Sequence, residues 1–336
     1  MIITRTPLRI SFFSGGSDLP SFYEKERGAA LSCTIDKYID VVIRKNPYTG
    51  YKTVYDEISE VNELSEMRHS ITREALKKFY WDATLNDKGV TITSLSDIKC
   101  SGSGLGSSSA FTVGLVKALH MPNPYIGAFP PSYYAEEAVD IEMNRCRFPV
   151  GKQDQYAAAY GGFNLFEFDK DIVSVVKPSI PVYTIQELER RLLLVYSGKG
   201  RSANAILQQQ SQAMLEKDKF ELVRKSRDKA YVGRRLLEKG DLDAFGELLH
   251  LSWLDKKEVV KEITQTYFDE IYQFMLEKGA TGGKLLGAGG GGFFIFYHPK
   301  GWDTNYPILE LNERFPLCEC YNFSFTHEGS KTLFRT

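Results

Sequence analysis

Residues 100–111, CSGSGLGSSSAF, place glycine at three alternate positions and follow them with three serines. Glycine lets backbone N–H groups turn toward a ligand. The apolar spacing of Ala110, Val113, Leu115, Val116 and Leu119 predicts a helix beginning near Ser107, whose first amides carry partial positive charge. Loop and helix start together make an anion site suited to phosphate. The commoner phosphate loop, GxxxxGK[ST], is excluded because no lysine precedes the hydroxyls. A dinucleotide-binding dehydrogenase is excluded because Ser107 stands where the fingerprint GxGxxG needs its last glycine. The serines could cap the helix or set hydroxyl oxygens beside a metal ion. The plainest alternative is a flexible turn with one capping serine.

Three other residues carry charge into unexpected places. Arg9 interrupts the apolar run 8–13, where an unpaired charge is costly, so it is expected to face a ligand or a carboxylate. The turn that follows, Ser14-Gly15-Gly16-Ser17-Asp18, is dense in short hydrogen-bonding groups and suits sugar hydroxyls, though an ordinary Asx turn fits equally. A helix is expected from an N-cap at Ser132 to about Asn144, and it puts Glu142 on the stripe of Ala135, Ala138 and Val139. A carboxylate there wants a cation or a strong donor, unless it is only an acid at a fraying helix end. Asp154 lies in the polar break before 156–160, where its plainest role is a helix N-cap.

The rest of the chain must position these residues. Apolar runs predict strands at 2–3, 9–13, 38–43, 90–93, 161–166, 192–196 and 292–297, with a last strand around 321–326. Helical spacing covers 57–81 and nearly all of 202–278, with breaks at Gly240 and near Trp253, while the proline-rich 121–131 is a loop. A composition shift near 178–181 marks the expected domain boundary in a chain of 336 residues. With 43% hydrophobic and 25% charged residues and a net charge of -1, nothing steers the molecule to nucleic acid or an anionic membrane. Five cysteines, an odd number without a CxxC pair, read as free thiols. No apolar run reaches the ~18 residues that span a bilayer, and the first residues do not read as a signal peptide, so a cytoplasmic protein is expected.

The order and spacing of these patches, with Lys284-Leu285-Leu286-Gly287-Ala288-Gly289-Gly290-Gly291-Gly292-Phe293, resemble the GHMP kinase family across nearly the whole chain. That family includes galactokinases, homoserine kinases, mevalonate kinases and phosphomevalonate kinases. TPLRISFF with SGG and SD, the run GKQDQYAAAYGGFN and Tyr196-Ser197-Gly198-Lys199-Gly200-Arg201 are most similar to its sugar-1-kinase branch, and within it to the heptose 7-phosphate kinases. The resemblance implies an α+β fold. Residues 1–180 would form an α/β domain with a ribosomal-protein-like βα crossover, residues 181–336 a ferredoxin-like domain, and the cleft between them the active site. It also implies ATP and Mg2+, a small-molecule sugar phosphate as acceptor and no nucleic-acid or membrane partner, and it leaves room for a homodimer.

On the matched positions the resemblance implies roles. Ser101, Gly102, Ser103, Gly104, Leu105, Gly106, Ser107, Ser108 and Ser109 would hold the ATP phosphates, and Ser108 with Glu142 the magnesium. Asp154 would be the catalytic aspartate with Arg9 beside it, and Ser14, Gly15, Gly16, Ser17 and Asp18 would bind the sugar. Gly289 and Gly290 would close the cleft near the transferred phosphate. Among Lys37, Arg145, Arg147, Lys152, Lys199 and Arg201, the favoured cations for a distal phosphate are Lys152 and Arg201. Two positions depart from the family pattern. Cys100-Ser101 replace a proline before the loop, and Gly16-Ser17 replace the Glu-His of galactokinases, which argues against galactose. The implied reaction is ATP-dependent phosphorylation of the anomeric hydroxyl of D-glycero-D-manno-heptose 7-phosphate. A kinase of a free sugar such as fucose or galactose, and an ATP- and sugar-binding sensor without catalysis, are the competing readings.

Overall fold

Alternating apolar side chains in the first 45 positions build two long strands, β1 (Ile2–Phe13) and β2 (Gly28–Lys45), joined through a single helical turn, α1 (Pro20–Tyr23). They pair antiparallel from Ile2 opposite Ile43 to Phe13 opposite Leu31, with register shifts at Pro7/Leu8 and Ser11/Phe13. The computed structural model describes residues 1–14, 16–45, 49–79, 89–99, 102–120, 129–200, 203–260, 263–302 and 305–335. Gly15, Ser101 and Arg201 lie outside the described residues, as do Trp81, Cys100 and most of the expected loop at 121–131.

The chain continues through β3 (Tyr51–Val54), β4 (Ile58–Val61), α2 (Ser70–Lys78), β5 (Val90–Ser96), α3 (Ser107–His120), α4 (Pro131–Val139), α5 (Gln153–Tyr160), β6 (Asn164–Phe168) and β7 (Val173–Val176). Then come α6 (Val182–Arg190), β8 (Leu192–Tyr196), α7 (Ala203–Ala213), α8 (Lys217–Lys239), α9 (Leu242–Val259), α10 (Thr266–Glu277), β9 (Gly282–Leu285), β10 (Phe293–Tyr297), α11 (Asn305–Arg314), β11 (Glu319–Tyr321) and β12 (Lys331–Arg335). The first sheet runs β12-β1-β2-β5-β3-β4, with β6 on β2 and β7 on β6. Within it β3 and β5 are parallel, and the other pairs are antiparallel. The second sheet runs β11-β8-β10-β9, which is the fourth, first, third and second of its own strands: the ferredoxin-like order.

Both central strands of the second sheet, LLLVY and FFIFY, are buried along their whole length. Successive side chains of a strand point to opposite faces, so each strand feeds two cores. Leu194, Tyr196, Phe293 and Ile295 join the core of the first sheet, while Val195, Phe294 and Phe296 join a second around Trp253 and Phe268. Phe245 of α9 seals the join, meeting the rings of Phe12 and Phe13 edge-on at 5.3 Å each. The last strand, β12, returns to pair with β1, so the expected division at 180/181 is crossed by a sheet.

Local expectations are corrected in four places, one being the last strand expected around 321–326: that stretch holds only the end of β11 and a lone bridge from Phe325 to Ile35, and the last strand is β12. Among the described residues of the helix expected over 57–81, the α-helix is confined to α2, because Ile58–Val61 pairs with β3 in a short hairpin, Tyr51 opposite Val61. The helix before Glu142 is capped at Pro130 rather than Ser132, since Pro131 is already set for the first helical position. No break falls at Trp253, which sits buried inside α9, whereas Gly240 does end α8 in a left-handed turn at φ 75°. Among the described residues no helix is long and apolar enough to cross a membrane.

Candidate active site

The Gly/Ser loop rises from the end of β5 and opens α3. Gly102, Gly104 and Gly106 all have positive φ, at 65°, 75° and 75°, which explains glycine at alternate positions. The loop is held from behind by the glycine run of the second sheet. A Cβ on Gly287 would fall 2.5 Å from Gly104 Cα, and one on Gly292 2.4 Å from the Ser103 carbonyl. Phe293 N–H donates to that Ser103 carbonyl at 2.9 Å. Only bare backbone permits so close a crossing, and it fixes the loop against the start of α3.

Arg9, 4% exposed, reaches this crossing from β1. Its Nε and Nη2 donate to Asp154 Oδ1 and Oδ2 at 2.8 and 2.7 Å, and its Nη1 donates to the Gly104 carbonyl at 2.7 Å. The charge expected to need a partner therefore has a forked one. Asp154 is the second residue of α5, whose N-cap is Lys152, so the carboxylate does not cap the helix. A carboxylate has about four lone-pair sites. Arg9 takes one on each oxygen and leaves capacity for a substrate hydroxyl.

Asp18 lies near Asp154. Burial first, and then the Asp154 charge, push its carboxyl up to about 6. Ser14 Oγ donates to Asp18 Oδ1 at 3.2 Å. A Cβ on Gly151 would fall 2.0 Å from Asp18 Oδ2, so the segment before α5 must carry glycine there to let the carboxylate lie flat against it.

Glu142 falls on a π-helical turn, Asp140–Arg145, that continues α4, and it is 1% exposed. Ser108 and Thr112 donate to its Oε1 at 3.0 Å each, and Ser109 donates to Oε2 at 2.8 Å, with Gln155 Nε2 on the same oxygen. On the same turn Asp140 pairs with Lys78 at 2.7 Å and with Arg145 at 3.1 Å. Among the described residues Glu142 has only these neutral donors, and burial raises its pKa above the usual carboxylate range. A buried carboxylate, a serine hydroxyl and a phosphate loop suit a hard cation that takes its remaining ligands from phosphate and water. The donor set fits magnesium.

Arg9, Asp18, Asp154 and the Gly/Ser loop surround one cleft of about 310 Å³ between the two sheets, and Glu142 lies behind Ser108 and Ser109 of its wall. A larger open depression, about 840 Å³, lies over Arg44, Lys52 and Glu60 and holds none of the motif residues. Residues 70–162 match the N-terminal domain of the GHMP kinases, and residues 234–300 match their C-terminal domain. The chain belongs to the GHMP kinases. The D-glycero-alpha-D-manno-heptose 7-phosphate kinase of Campylobacter jejuni is 29% identical to it over 98% of both chains. The crystal structure of a D-glycero-D-manno-heptose 1-phosphate kinase from Bacteriodes thetaiotaomicron superposes with a TM-score of 0.79 at 25% identity, covering 100% of both chains. Galactokinase of Lactococcus lactis, solved with galactose, superposes with a TM-score of 0.71 over 99% of this chain and 95% of its own, and at 15% identity it shares the fold alone.

In this GHMP kinase the cleft gathers most of the expected residues. Gly102, Ser103, Gly104, Gly106 and the three serines 107–109 line it, as do Arg9, Asp154, Ser14, Gly16 and Asp18. Six expected residues do not, and of these Glu142 reaches the cleft only through Ser108 and Ser109. Leu105 is fully buried in the core and reaches Arg9 only through its backbone, its carbonyl accepting from the Arg9 N–H at 3.0 Å. Ser17 is turned inward, its hydroxyl bonded to the Ala29 carbonyl at 2.8 Å. Gly289 and Gly290 pack on Ile263, with Gly290 N–H donating to the Ile263 carbonyl at 2.8 Å, while Gly287 and Ala288 take the cleft side. Lys152 lays its ammonium 4.4 Å over the Tyr23 ring and 3.3 Å from the Lys170 carbonyl, away from the cleft. Three other candidate cations are engaged elsewhere: Lys37 with Asp36, Arg145 with Asp140, Lys199 over the Tyr267 ring.

The cleft also holds three residues to which the sequence analysis gives no role: Gln153, Lys256 and Lys284. Gln153 accepts from Ser11 Oγ at 3.2 Å, and its buried Nε2 has no partner among the described residues. Lys284 had a readable signal, since a charge in the buried strand GGKL poses the same question as Arg9 in β1. Lys256 had none, because WLDKKEV reads as the wet face of a helix.

Proposed function

We propose that the protein is a sugar kinase that moves the γ-phosphoryl group of ATP to the anomeric hydroxyl of D-glycero-D-manno-heptose 7-phosphate, giving the 1,7-bisphosphate. One observation carries the reading. The Arg9–Asp154 pair stands at the mouth of the Gly/Ser loop with a second carboxylate, Asp18, in the same cleft. A phosphate cradle on one side and two acceptor-binding carboxylates on the other suit transfer to a polyol. The names of the two heptose phosphate kinases support a heptose phosphate. They differ on whether the sugar carries its phosphate at position 7 or 1, and we take the 7-phosphate from the relative that is 29% identical.

In this reading Asp154 accepts a hydrogen bond from the anomeric hydroxyl and takes its proton as the sugar oxygen bonds to the γ-phosphorus and the bond to ADP breaks. Arg9 holds Asp154 in place and faces the charge that builds on the phosphoryl oxygens. Asp18 and Gln153 bind the remaining hydroxyls. Ser108 and Glu142 would hold magnesium, which neutralises phosphate charge when bound.

A coupled ADP-release assay across heptoses and hexoses, with and without a distal phosphate, tests the assignment. The heptose 7-phosphate is expected to give the highest kcat/KM. Equal rates for free and phosphorylated heptose would remove the 7-phosphate and keep the kinase, whereas no ADP release with any sugar would leave a nucleotide-binding sensor.

Asp154→Asn should lower kcat by ~10²–10⁴-fold, the usual worth of a positioned base. It should also lower Tm, because Arg9 loses its counter-charge. The two effects separate when kcat is measured well below the variant's own melting transition, with ATP KM nearly unchanged. A variant that is merely less stable but turns over normally rules out the catalytic role.

Glu142→Gln is expected to raise the magnesium concentration needed for half-maximal rate and to lower kcat ~10-fold or more, the scale of one charge-assisted contact, with an unchanged circular dichroism spectrum. Wild-type magnesium dependence would make Glu142 a structural acid.

The Asp18 carboxyl, raised to about 6, is protonated below that pH and then loses acceptor capacity. kcat/KM for the sugar should therefore fall as pH drops through about 6. In Asp18→Asn that limb should vanish at a uniformly lower rate. An unchanged limb in the variant assigns it to another group.

A further inference from the structure

The reaction as described leaves two cleft lysines without a task. Lys256, near the end of α9, and Lys284, in β9, are 6% and 4% exposed, and both line the cleft. Among the described residues their hydrogen bonds go to backbone carbonyls alone. Lys256 Nζ donates to Leu285 at 3.0 Å and Gly287 at 2.6 Å, and Lys284 Nζ donates to Phe12 at 2.8 Å. The Lys256 ammonium also lies 5.9 Å from the Trp253 ring, a weak partner at best. Among the described residues neither lysine has a carboxylate partner.

Burying an ammonium on neutral partners is expensive, and an apolar side chain of similar volume would hold the helix to the sheet at lower cost. Here two are buried side by side with a third cation. Burial lowers both pKa values, and the neighbouring charges add to it: Arg9 on Lys284, which falls to about 7, and Lys284 and Arg9 on Lys256. Asp154 is already paired with Arg9 and Asp18 takes its side-chain bond from Ser14, so neither carboxylate answers this cluster. Its position is defined by backbone. Lys256 donates to the Gly287 carbonyl, Gly287 packs on Gly104, and the Gly104 carbonyl accepts from Arg9. Three cations thus converge where the glycine run crosses the phosphate loop, beside Asp154.

We propose that Lys256 and Lys284 form the seat of a phosphoryl anion at this crossing and hold the group that passes from nucleotide to acceptor. The proposal rests on the kinase reading above. An acceptor's own phosphate has the same chemistry, and the two sources are separable. ADP and a non-hydrolysable ATP analogue are titrated into wild type, Lys256→Met and Lys284→Met, and turnover is compared on phosphorylated and free sugar.

The wild type should prefer the analogue over ADP. Each variant should lose ~10-fold or more of that preference, about one charge-assisted hydrogen bond, while keeping ADP affinity and losing kcat. Loss of preference for the phosphorylated sugar instead, with the nucleotide ratio intact, keeps the seat and assigns it to the acceptor. Unliganded Tm should be unchanged or higher, since a buried charge is gone. Wild-type ratios in both arms, or a lower Tm with wild-type ratios, overturn the proposal and make the lysines structural. A wild type that binds neither nucleotide removes the kinase reading itself, a result distinct from equal ratios in wild type and variants. Should a methionine variant not fold, Lys256→Gln and Lys284→Gln keep a donor for the carbonyls without the charge and carry the same expectation.

Discussion

The Arg9 guanidinium directs three of its N–H groups at once, two to the Asp154 carboxylate and one to the Gly104 carbonyl. Each partner comes from a different element, so one planar group sets the distance between β1, the start of α5 and the phosphate loop. A buried guanidinium tolerates little error, because any donor left unpaired costs the full desolvation of that group. The rest of the site follows from this. Asp154 must enter the cleft at the first turn of α5, and Gly106 must lack a Cβ, which would otherwise stand 3.3 Å from Asp154 Oδ2. The loop carbonyl must point at β1, which the positive φ of Gly104 permits.

The same logic extends to the second sheet. The glycine run adds no side chain to the cleft beyond Ala288, yet it fixes the loop by backbone contact. Because β8 and β10 each feed two cores, any shift of the second sheet would disturb packing on both faces. The phosphate loop is therefore clamped between two sheets that share apolar cores, with Arg9 as the polar pin. Such rigidity serves phosphoryl transfer, in which positioning and charge stabilisation do most of the work.

Much of this was legible in the sequence, and what was not has a physical reason. Arg9 announced itself because a charge in an apolar run must be answered nearby, and it is answered by Asp154. Glu142 did the same on a helix stripe. Ser14 and Ser17 share one turn, and local pattern cannot tell which hydroxyl faces the cleft. The decision is made by Ala29 across the sheet, which captures Ser17. The Ile58–Val61 strand was hidden because none of its four residues is buried and all depend on β3 for their shape. β12 was hidden because its pairing with β1 joins the two ends of the chain. Lys256 was hidden because an amphipathic helix with adjacent lysines looks solvated until the glycine run is folded over it.

The buried charges oppose folding in a way that ligands can reverse. Asp18 has a folded value of about 6 against 3.8 unfolded, so between those values the folded chain keeps a proton that the unfolded chain has released. Its contribution to stability falls as pH rises through that window. Lys284 has a folded value of about 7 against 10.5, so between those values the unfolded chain holds the extra proton, and the contribution rises with pH. Between about 6 and 7 both groups are charged in the folded chain and both costs stand in full. On the proposed assignments, sugar hydroxyls at Asp18 and an anion at Lys284 would favour the charged forms, return the values toward ordinary and remove that cost. The site is thus least comfortable empty near neutral pH, and the instability of the empty cleft becomes part of the affinity of the filled one.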